Sequence, residues 1–382
     1  MPAIEVRPVS SRHERRVFLT FPWHVYRDDP IWVPPLIPER AKVIDPQRGV
    51  WFRRGSAELF VAWDHHTPVG TICAAEDPTT NQARSRRDCV FGFFECVPDE
   101  SVARALIDTA AAWAREHDLD ALYGPFNLDY EDGYGVLIEG RDRPPAVFCG
   151  HTPPYYRDLV EGYGFVPARG DNLAFAADLT RDTPALRRLT RLARRVRERS
   201  DILVRDADLG QWDSEVNRIH HLLNTALRHL PDFIPWQRDA LDAMLRPFRD
   251  IADPELVLFA EIRGRTVGWF PGIPNLNEAF IRVDGLRHPW DFLRLWAALR
   301  HRPRCLAIKS VLVEPDLWDT GVSVLLFDEM VRRARAKGYS WLDLSLTSDD
   351  NPRTPVLAHH MGAQIYKRYR VYRKPLSPSS VS

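Results

Sequence analysis

The stretch from Lys309 to Met330, KSVLVEPDLWDTGVSVLLFDEM, joins an apolar run with β-branched residues to a second apolar run at helical spacing. The polar break between the two runs contains one glycine, Gly321, and two aspartates, Asp316 and Asp319. This pattern predicts a strand, a short loop and an amphipathic helix. Since the first N–H groups of a helix are free, such a loop can hold a phosphate with backbone amides, although phosphate loops usually carry more glycine and a basic residue.

A second copy of this unit occurs in the N-terminal part of the chain, in VFGFFECVPDESVARALID from Val90. Each copy follows a predicted β-hairpin, LFVAWDHHTPVG from Leu59 and LFAEIRGRTVG from Leu258, in which the second strand opens with Val-Gly. Each copy leads into another strand, a short helix and a last strand, so that DNLAFAADL is expected to complete the first half and QIYKRYRVYRK the second. The sequence therefore predicts two copies of a β-α-β-β-β-α-β-α-β unit.

This order of elements resembles that of the GNAT N-acyltransferases, and the chain is similar to a bacterial family of tandem acyl-CoA N-acyltransferase-like proteins. The resemblance implies an α/β (α+β) fold of two tandem GNAT-type domains, each a mixed, mainly antiparallel twisted sheet flanked by helices. We expect an N-terminal domain at 1–180, a basic connector helix at 181–201 and a C-terminal domain at 202–382. The matching stretches are FPWHVYRDDPIWVPPL (21–36), GFFECVPDE (92–100), GPFNLDYEDGYGVLIEG (124–140), PPYYRDLVEGYGF (153–165) and LDLSLTSDDNPRTPVLAHHMGAQIYKRYRVYRK (342–374).

Bulk composition excludes several classes of function. The 382 residues carry 52 basic and 52 acidic side chains, so the neutral chain gives no indication of a nucleic-acid partner. Five cysteines without CxxC spacing argue against a disulfide framework and against a zinc site. Because the N-terminal residues lack an apolar signal region and no apolar run reaches about 18 residues, we expect a cytoplasmic protein.

Two helical segments allow two interpretations each. The connector LRRLTRLARRVRERS (186–200) has an apolar stripe and an arginine face, which is either solvated or a contact for anionic lipid or CoA phosphates. The insert helix around Trp290–Leu299 is unusually apolar. It is either a buried helix or a wall for a long acyl chain or a membrane-facing patch.

The resemblance implies that acyl-CoA or acetyl-CoA is the co-substrate, with no metal, and that its pyrophosphate lies at the start of the helix after the loop. In the N-terminal copy, Asp99 and Glu100 at the helix start would repel a phosphate, so we expect this half to have lost acyl-CoA binding and to contribute to the acceptor groove. The C-terminal half is the candidate donor site. Its candidate cofactor-binding residues are Asp319, Thr320, Gly321, Val322, Ser323 and Asn351.

Acyl transfer from a thioester to an amine requires a base for the amine and an acid for the leaving thiol. Glu314 ends the strand before the loop, and Glu95 is placed at the equivalent position of the first half; each is either a base or a solvated strand-end carboxylate. GNAT enzymes commonly place a tyrosine on the last helix as the thiol acid, whereas this chain has Ala358 there, beside His359. The candidate catalytic residues are Glu314, Glu95, Tyr155, Tyr156 and His359.

The first half contains a long polar and aromatic loop that the second half lacks, since Gly164 lies 46 positions after Asp118 but Gly362 lies only 24 positions after Gly338. Long loops within compact domains are commonly functional, although an Ω-loop packed on itself is the alternative. The loop is expected to form the acceptor side of a groove. Its candidate substrate-binding residues are Asn127, Tyr130, Asp132 and Tyr134.

Three functions are compatible with these features. The first is an acyl-CoA-dependent N-acyltransferase that acts on an amine, with a small-molecule, lipid or long-chain amine as acceptor and a peripheral membrane contact as a further partner. The second is a non-catalytic GNAT-fold binding protein, which the reduced phosphate loop favours. The third is a tandem-GNAT aminoacyl-tRNA-dependent transferase, against which the neutral charge argues. The sequence leaves the oligomeric state open.

Overall fold

The structure is a computed structural model that describes residues 4–129, 132–229, 233–249, 252–350, 358 and 362–376. Strands β1 to β16 are, in chain order, Glu5–Pro8, Ser56–Asp64, Thr67–Glu76, Asp88–Cys96, Ala121–Gly124, Val136–Glu139, Val166–Pro167, Asn172–Asp178, Ile202–Asp206, Val257–Ile262, Arg265–Pro274, Cys305–Ile308, Leu312–Val313, Trp341–Ser348, Gln364–Arg370 and Tyr372–Pro375. Helices α1 to α12 are Arg12–Thr20, Pro22–Val25, Ile37–Val43, Pro78–Arg84, Glu100–Glu116, Tyr156–Tyr163, Pro184–Arg199, Trp212–Ala226, Arg238–Leu245, Asn277–Phe280, Pro289–Leu299 and Val322–Ala336. Short 3₁₀ helices lie at Trp51–Arg53, Leu209–Gln211, Arg246–Phe248, Pro254–Leu256, Asp284–Leu286 and Pro315–Leu317.

Two twisted sheets form the framework of the chain. The first has the strand order β1-β2-β3-β4-β5-β16-β7, and the second has the order β6-β15-β8-β14-β12-β11-β10-β9, with β13 paired to β11. Within the described residues, β4 with β5 and β12 with β14 pair in parallel, whereas the other neighbours are antiparallel. The prediction of two mixed, mainly antiparallel sheets with flanking helices is therefore confirmed.

The internal repeat is visible in how each central helix packs on its sheet. The predicted hairpins are β2–β3 and β10–β11, and both are confirmed. A Cβ atom added to Gly70 on β3 would lie 2.6 Å from the side chain of Leu106 on α5. The same atom on Gly268 of β11 would lie 3.1 Å from the side chain of Leu326 on α12. The glycine of each Val-Gly pair therefore lets a helix approach the sheet closely.

The final strands of the two halves are exchanged between the sheets. Strand β8 pairs with β14 and β15 in the second sheet, and β16 pairs with β5 in the first. The predictions that DNLAFAADL completes the first half and that QIYKRYRVYRK lies wholly in the second are wrong. Alternating apolar residues predict a strand, but they do not identify the strand with which it pairs. The division at 1–180 and 202–382 stays a prediction that rests on the sequence repeat.

Ion pairs hold the chain on both sides of its passage from the second sheet to the first. Arg370, at the end of β15, donates two hydrogen bonds to the Asp171 carboxylate at 2.8 and 3.0 Å. Arg373, on β16, donates to the buried Asp88 at 2.8 Å. Because paired and well-oriented guanidinium groups bind carboxylates strongly, these contacts stabilise the exchanged arrangement.

The predicted connector helix is α7. Its apolar stripe, Leu186, Leu189 and Ala193, is buried against the second sheet and α12. Beside this stripe Arg197 pairs with two acidic residues of α12, with Asp328 at 2.9 Å and with Glu329 at 3.5 Å. Among the helices of the described ranges, none has the length and apolar character needed to cross a membrane.

Candidate active site

A cavity of about 2420 Å³ is lined by residues of both sheets. Pockets for drug-sized ligands have volumes of roughly 300–1,000 Å³, so this cavity can hold two substrates at once. It brings together predicted site residues from the two halves of the chain: Glu95, Asn127, Asp132, Tyr134, Tyr156, Asp319 and Ser323.

Most of the cavity wall is apolar. Aromatic and aliphatic side chains line it from the N-terminal region, the middle of the chain and the second sheet. Such a wall favours hydrocarbon chains and excludes water from polar groups set into it. The large aromatic residues in the lining include Phe18, Trp51, Phe93, Phe148, Phe175 and Phe280.

The second sheet opens where β12 and β14 separate. Their parallel pairing ends at Ile308 and Leu344, while β14 continues to Ser348. The register with β11 shifts by one residue between Ile308 and Leu312, so the intervening residues 309–311 form a bulge. After the bulge the chain continues as β13, which pairs with β11 and not with β14. The cavity extends into this gap, because the bulge and the end of β14 both line it.

Helix α12 begins beside the gap. Its N-cap, Gly321, has a positive φ of 93°, and within the described residues no side chain caps the first N–H groups. Asp319 and Ser323 line the cavity, whereas Val322 is buried and the Thr320 hydroxyl donates to a backbone carbonyl at 2.7 Å. The helix start therefore offers an electropositive end to the cavity.

Gly321 has a packing role that the sequence did not indicate. A Cβ atom at this position would lie 2.7 Å from a methyl group of Val196 on α7. The positive φ also disfavours any other residue there. The close approach of the connector helix and the positive φ thus explain why glycine occupies this position. Its role in binding a phosphate stays a prediction.

In the first sheet the corresponding gap is filled. The parallel pairing of β4 with β5 ends at Val90 and Tyr123, although β4 continues to Cys96. The chain after β5 crosses over β4 so closely that a Cβ atom on Gly92 would lie 1.6 Å from the carbonyl oxygen of Phe126. The two halves therefore share one framework, but only in the second half is the gap between the parallel strands open to the cavity.

The long loop of the first half supplies the groups that fill this gap. The N–H of Phe93, at a residue with a φ of 44°, donates to the Asn127 side chain at 2.8 Å. Asp132 accepts a hydrogen bond from Arg40 at 3.0 Å. Asn127 and Asp132 thus have structural partners while they line the cavity, and Tyr130 lies outside the described residues.

Glu95, on β4, is one of the carboxyl groups in the wall on the side of the first sheet. Tyr156 donates its hydroxyl to Glu95 Oε2 at 2.7 Å and accepts the N–H of Cys96 at 2.8 Å. Burial raises the pKa of Glu95 to about 7, although the hydrogen bond from Tyr156 and the charge of Arg40 oppose this rise. A carboxyl group with a pKa near neutrality is suited to accept a proton and is typical of functional sites.

The other predicted catalytic residues lie elsewhere. Glu314 is not among the described residues that line the cavity, and it pairs with Arg265 at 3.1 Å. The Tyr155 hydroxyl donates to the backbone carbonyl of the last residue of β4 at 2.7 Å. His359 and Asn351 lie outside the described residues. The structure thus brings Glu95 and Tyr156 together and leaves Glu314 apart from them.

The predicted equivalence of Glu95 and Glu314 is wrong. The N–H of Glu314 donates to the carbonyl of Val267 at 3.0 Å. In the first sheet it is the N–H of Val97 that donates to the matching carbonyl, that of Val69, at 3.1 Å. The repeat therefore aligns Glu314 with Val97, two residues beyond Glu95, because the strands are bulged at different places.

A histidine that the sequence analysis missed also lines the cavity, and it pairs with an aspartate behind it. His151 is buried and lines the cavity, and its Nε2 lies 2.6 Å from Asp29 Oδ2. Burial lowers the pKa of His151. Tyr26 donates to the His151 carbonyl at 3.0 Å and stacks on Trp32 with ring centres 4.8 Å apart. The aromatic and acidic stretch 21–36 was the available signal, but nothing in it indicated a distant partner.

Comparisons with known proteins extend over the whole chain. No family model matches it. The chain is 30% identical over 385 residues to a bacterial ceramide synthase of Caulobacter vibrioides (strain NA1000 / CB15N), with 98% of each chain covered. It is 26% identical over 388 residues to Protein YghO of Escherichia coli (strain K12), which covers 97% of this chain and 95% of that one.

A solved structure has the same architecture. The tandem GNAT protein from the clavulanic acid biosynthesis pathway, determined without AcCoA, matches with a TM-score of 0.59 over 99% of this chain and 100% of that chain. The sequence identity is 12%, so the match concerns the fold alone. The fold is that of a tandem GNAT protein, which confirms the resemblance found in the sequence.

Proposed function

The chain belongs to the family of the Caulobacter vibrioides bacterial ceramide synthase, and on this premise we propose that it is an acyl-CoA-dependent N-acyltransferase acting on a lipid amine. A ceramide is the amide of a fatty acid with a long-chain amino alcohol, so the name of the relative points to an acceptor with a hydrocarbon chain. The observation that carries the proposal is the large apolar cavity, which contains a carboxyl group with a pKa near 7.

The donor is proposed to bind on the side of the second sheet. The open gap between β13 and β14 leaves room for an extended chain, and the start of α12 offers free N–H groups to phosphate oxygens. The basic residue that is missing from the loop is proposed to come from α7. Arg199 is exposed and lies three residues after Val196, on the helix face that meets Gly321.

The acceptor amine is proposed to bind near Glu95, where it must lose a proton before it can attack. The Glu95 carboxylate takes this proton, the nitrogen forms a bond to the thioester carbonyl carbon, and the carbon–sulfur bond breaks to release a thiolate. The thiolate takes up the second proton that the nitrogen loses as the amide forms. Tyr156 fixes the carboxylate, because the Cys96 N–H orients its hydroxyl. The apolar wall keeps water from the thioester and supports hydrocarbon chains.

Binding and turnover with two matched variants test this function. Calorimetric titration with free CoA, acetyl-CoA and a long-chain acyl-CoA should show saturable binding. A radiolabelled acyl-CoA should acylate a long-chain amino alcohol. Glu95→Gln should retain donor binding and lose turnover, whereas Glu314→Gln, which changes a carboxyl group that does not line the cavity, should retain both.

The outcomes separate the alternatives. No binding of any CoA would contradict the proposal and favour a non-catalytic binding protein. Acyl transfer from aminoacyl-tRNA but not from acyl-CoA would favour the tRNA-dependent class. Full turnover by Glu95→Gln would show that Glu95 is not the base and would direct attention to the Asp29–His151 pair.

A further inference from the structure

Helix α11 has its apolar residues on the outside. Trp290, Phe292, Leu293, Trp296 and Leu299 are each between 51% and 72% exposed. The face that packs on the protein consists instead of Asp291, Leu295 and Ala298, of which Asp291 is fully buried. This arrangement is the reverse of a surface helix of a globular protein, which turns its apolar stripe toward the core. The interpretation of this segment as a buried helix is therefore wrong.

The exposed apolar face is large for a protein surface but small for a dimer interface. If each of the five side chains presents about half of the roughly 200 Å² that a large apolar side chain carries, the face covers on the order of 500 Å². That matches the largest patches on monomeric proteins, which are commonly functional. A stable dimer needs about 800 Å² from each partner.

The surroundings of the face are strongly basic. Between residues 281 and 304 the chain has six arginines and two aspartates, although its overall charge is zero. All six arginines are exposed, and both aspartates are engaged locally, Asp284 by Arg287 at 3.5 Å and Asp291 by Arg294 at 3.3 Å. A second copy of the chain would bring like charges together, whereas an anionic surface would complement them.

The aromatic side chains are suited to a membrane interface. The guanidinium of Arg300 lies 3.5 Å from the centre of the Trp296 ring, and the His288 ring stacks on Trp290 at 4.6 Å. Tryptophan and arginine together favour the boundary between lipid headgroups and hydrocarbon, where an indole is half in apolar and half in polar surroundings. The helix has 11 residues, which is about half the length needed to span the hydrocarbon core, so contact with a bilayer would place it along the surface.

Helix α11 is also adjacent to the cavity. Asn277 and Phe280 of α10 line the cavity, and α10 packs against α11. The turn that leads into α11 contacts the stretch 32–35, which also lines the cavity, because a Cβ atom on Gly285 would lie 2.7 Å from the carbonyl oxygen of Pro35. A bilayer on the α11 face would thus lie beside one wall of the cavity.

We propose that α11 docks this face of the protein on an anionic lipid bilayer, with its tryptophans at the level of the headgroups. The docking surface follows from the exposed side chains and charges alone. A second step, the entry of a lipid amine from the bilayer into the adjacent cavity, rests on the proposed function.

Vesicle co-sedimentation of the full chain tests the docking without any acyl donor. The protein should bind vesicles that contain about one third phosphatidylglycerol more tightly than phosphatidylcholine vesicles, and added salt should weaken the binding. The double variant Trp290→Ser/Trp296→Ser should bind about tenfold more weakly or worse, because it loses two of the inserted side chains. Leu203→Ser, which changes a 60% exposed residue on β9, is the control and should bind like the wild type.

Several results would overturn the docking surface. Absence of vesicle binding by the wild-type chain, or equal binding by the double tryptophan variant, would do so. A solution dimer that the double variant converts to a monomer would assign the face to a second copy. The variant Arg282→Gln/Arg300→Gln should lose the preference for anionic vesicles, and an unchanged preference would remove the charge argument. These measurements do not depend on enzymatic turnover. They therefore test the docking surface even if the proposed function is wrong.

Discussion

Replacing Glu95 by glutamine should stabilise the protein above neutral pH, because it removes a carboxylate that is costly to bury. The pKa of this group rises from 4.5 to about 7 on folding, chiefly through burial. Each pKa unit corresponds to about 1.4 kcal/mol, so the fully ionised carboxylate destabilises the folded state by on the order of 3 kcal/mol. The amide oxygen of glutamine can still accept the Tyr156 hydroxyl, so the hydrogen bond at 2.7 Å survives the change.

The sign of the pH dependence follows from the raised pKa. Below pH 4.5 the carboxyl group is protonated in the folded and unfolded states alike, so the substitution raises the free energy of unfolding only a little. The gain grows between pH 4.5 and about 7, where only the unfolded chain ionises freely, and is complete above that range. Urea unfolding at about pH 5 and about pH 8 should therefore show a difference of roughly 2–3 kcal/mol in the advantage of the variant.

Activity should change in the opposite direction. The wild-type kcat/KM should fall below an apparent pKa of about 7, and Glu95→Gln should lose this dependence together with about 10²- to 10⁴-fold of the rate. The control Glu314→Gln removes a carboxylate paired with Arg265 and should show neither effect. A stability gain that is the same at both pH values, or a variant with wild-type turnover, would refute the reasoning.

Three further substitutions test the framework. Gly92→Ala should lower the free energy of unfolding by more than about 3 kcal/mol, since its Cβ atom would meet a backbone carbonyl at 1.6 Å; an unchanged urea midpoint would contradict the filled gap. Gly321→Ala should cost about 1–2 kcal/mol, and adding Val196→Ala should recover the steric part but leave the cost of the positive φ, as a double-mutant cycle would measure. Arg373→Ala leaves the buried Asp88 without its nearest cation and should cost about 3 kcal/mol, with hydrogen exchange increasing first in β16.

Local patterns in the sequence predicted the local elements well. In each of these elements, the spacing of apolar residues within the segment itself indicates a strand or a helix. They are the hairpins β2–β3 and β10–β11, the helices α5 and α12 and the connector α7. The exchange of β8 and β16 could not be predicted in this way. Pairing partners are set by contacts such as Arg373 with Asp88, which are 285 residues apart.

The candidate site was predictable only where position along a strand decided it. Glu95 was predicted as a site residue because it lies near the end of β4, and Tyr156 because it lies at the start of α6. In the structure the two side chains form a hydrogen bond. The predicted equivalence of Glu314 with Glu95 failed because bulges shift the strand register in each half, and the sequence does not indicate where these bulges lie. The Asp29–His151 pair, 122 residues apart, arises only from the tertiary fold.

The two halves of the repeat are thus specialised by a small structural difference. Both have a pair of parallel strands that separate, but in the first half residues 125–127 fill the space and in the second it stays open to the cavity. Glu95 lies on β4, the strand over which the first gap is filled, and burial raises its pKa. The second gap is open, and we propose that the donor binds there. Because β8 and β16 each pair in the sheet of the other half, the strand exchange connects the sheet that carries Glu95 to the sheet that contains the open gap. Under the proposed function, strand exchange would keep the acceptor and donor sides at a fixed separation, which proton transfer and acyl transfer in one cavity require.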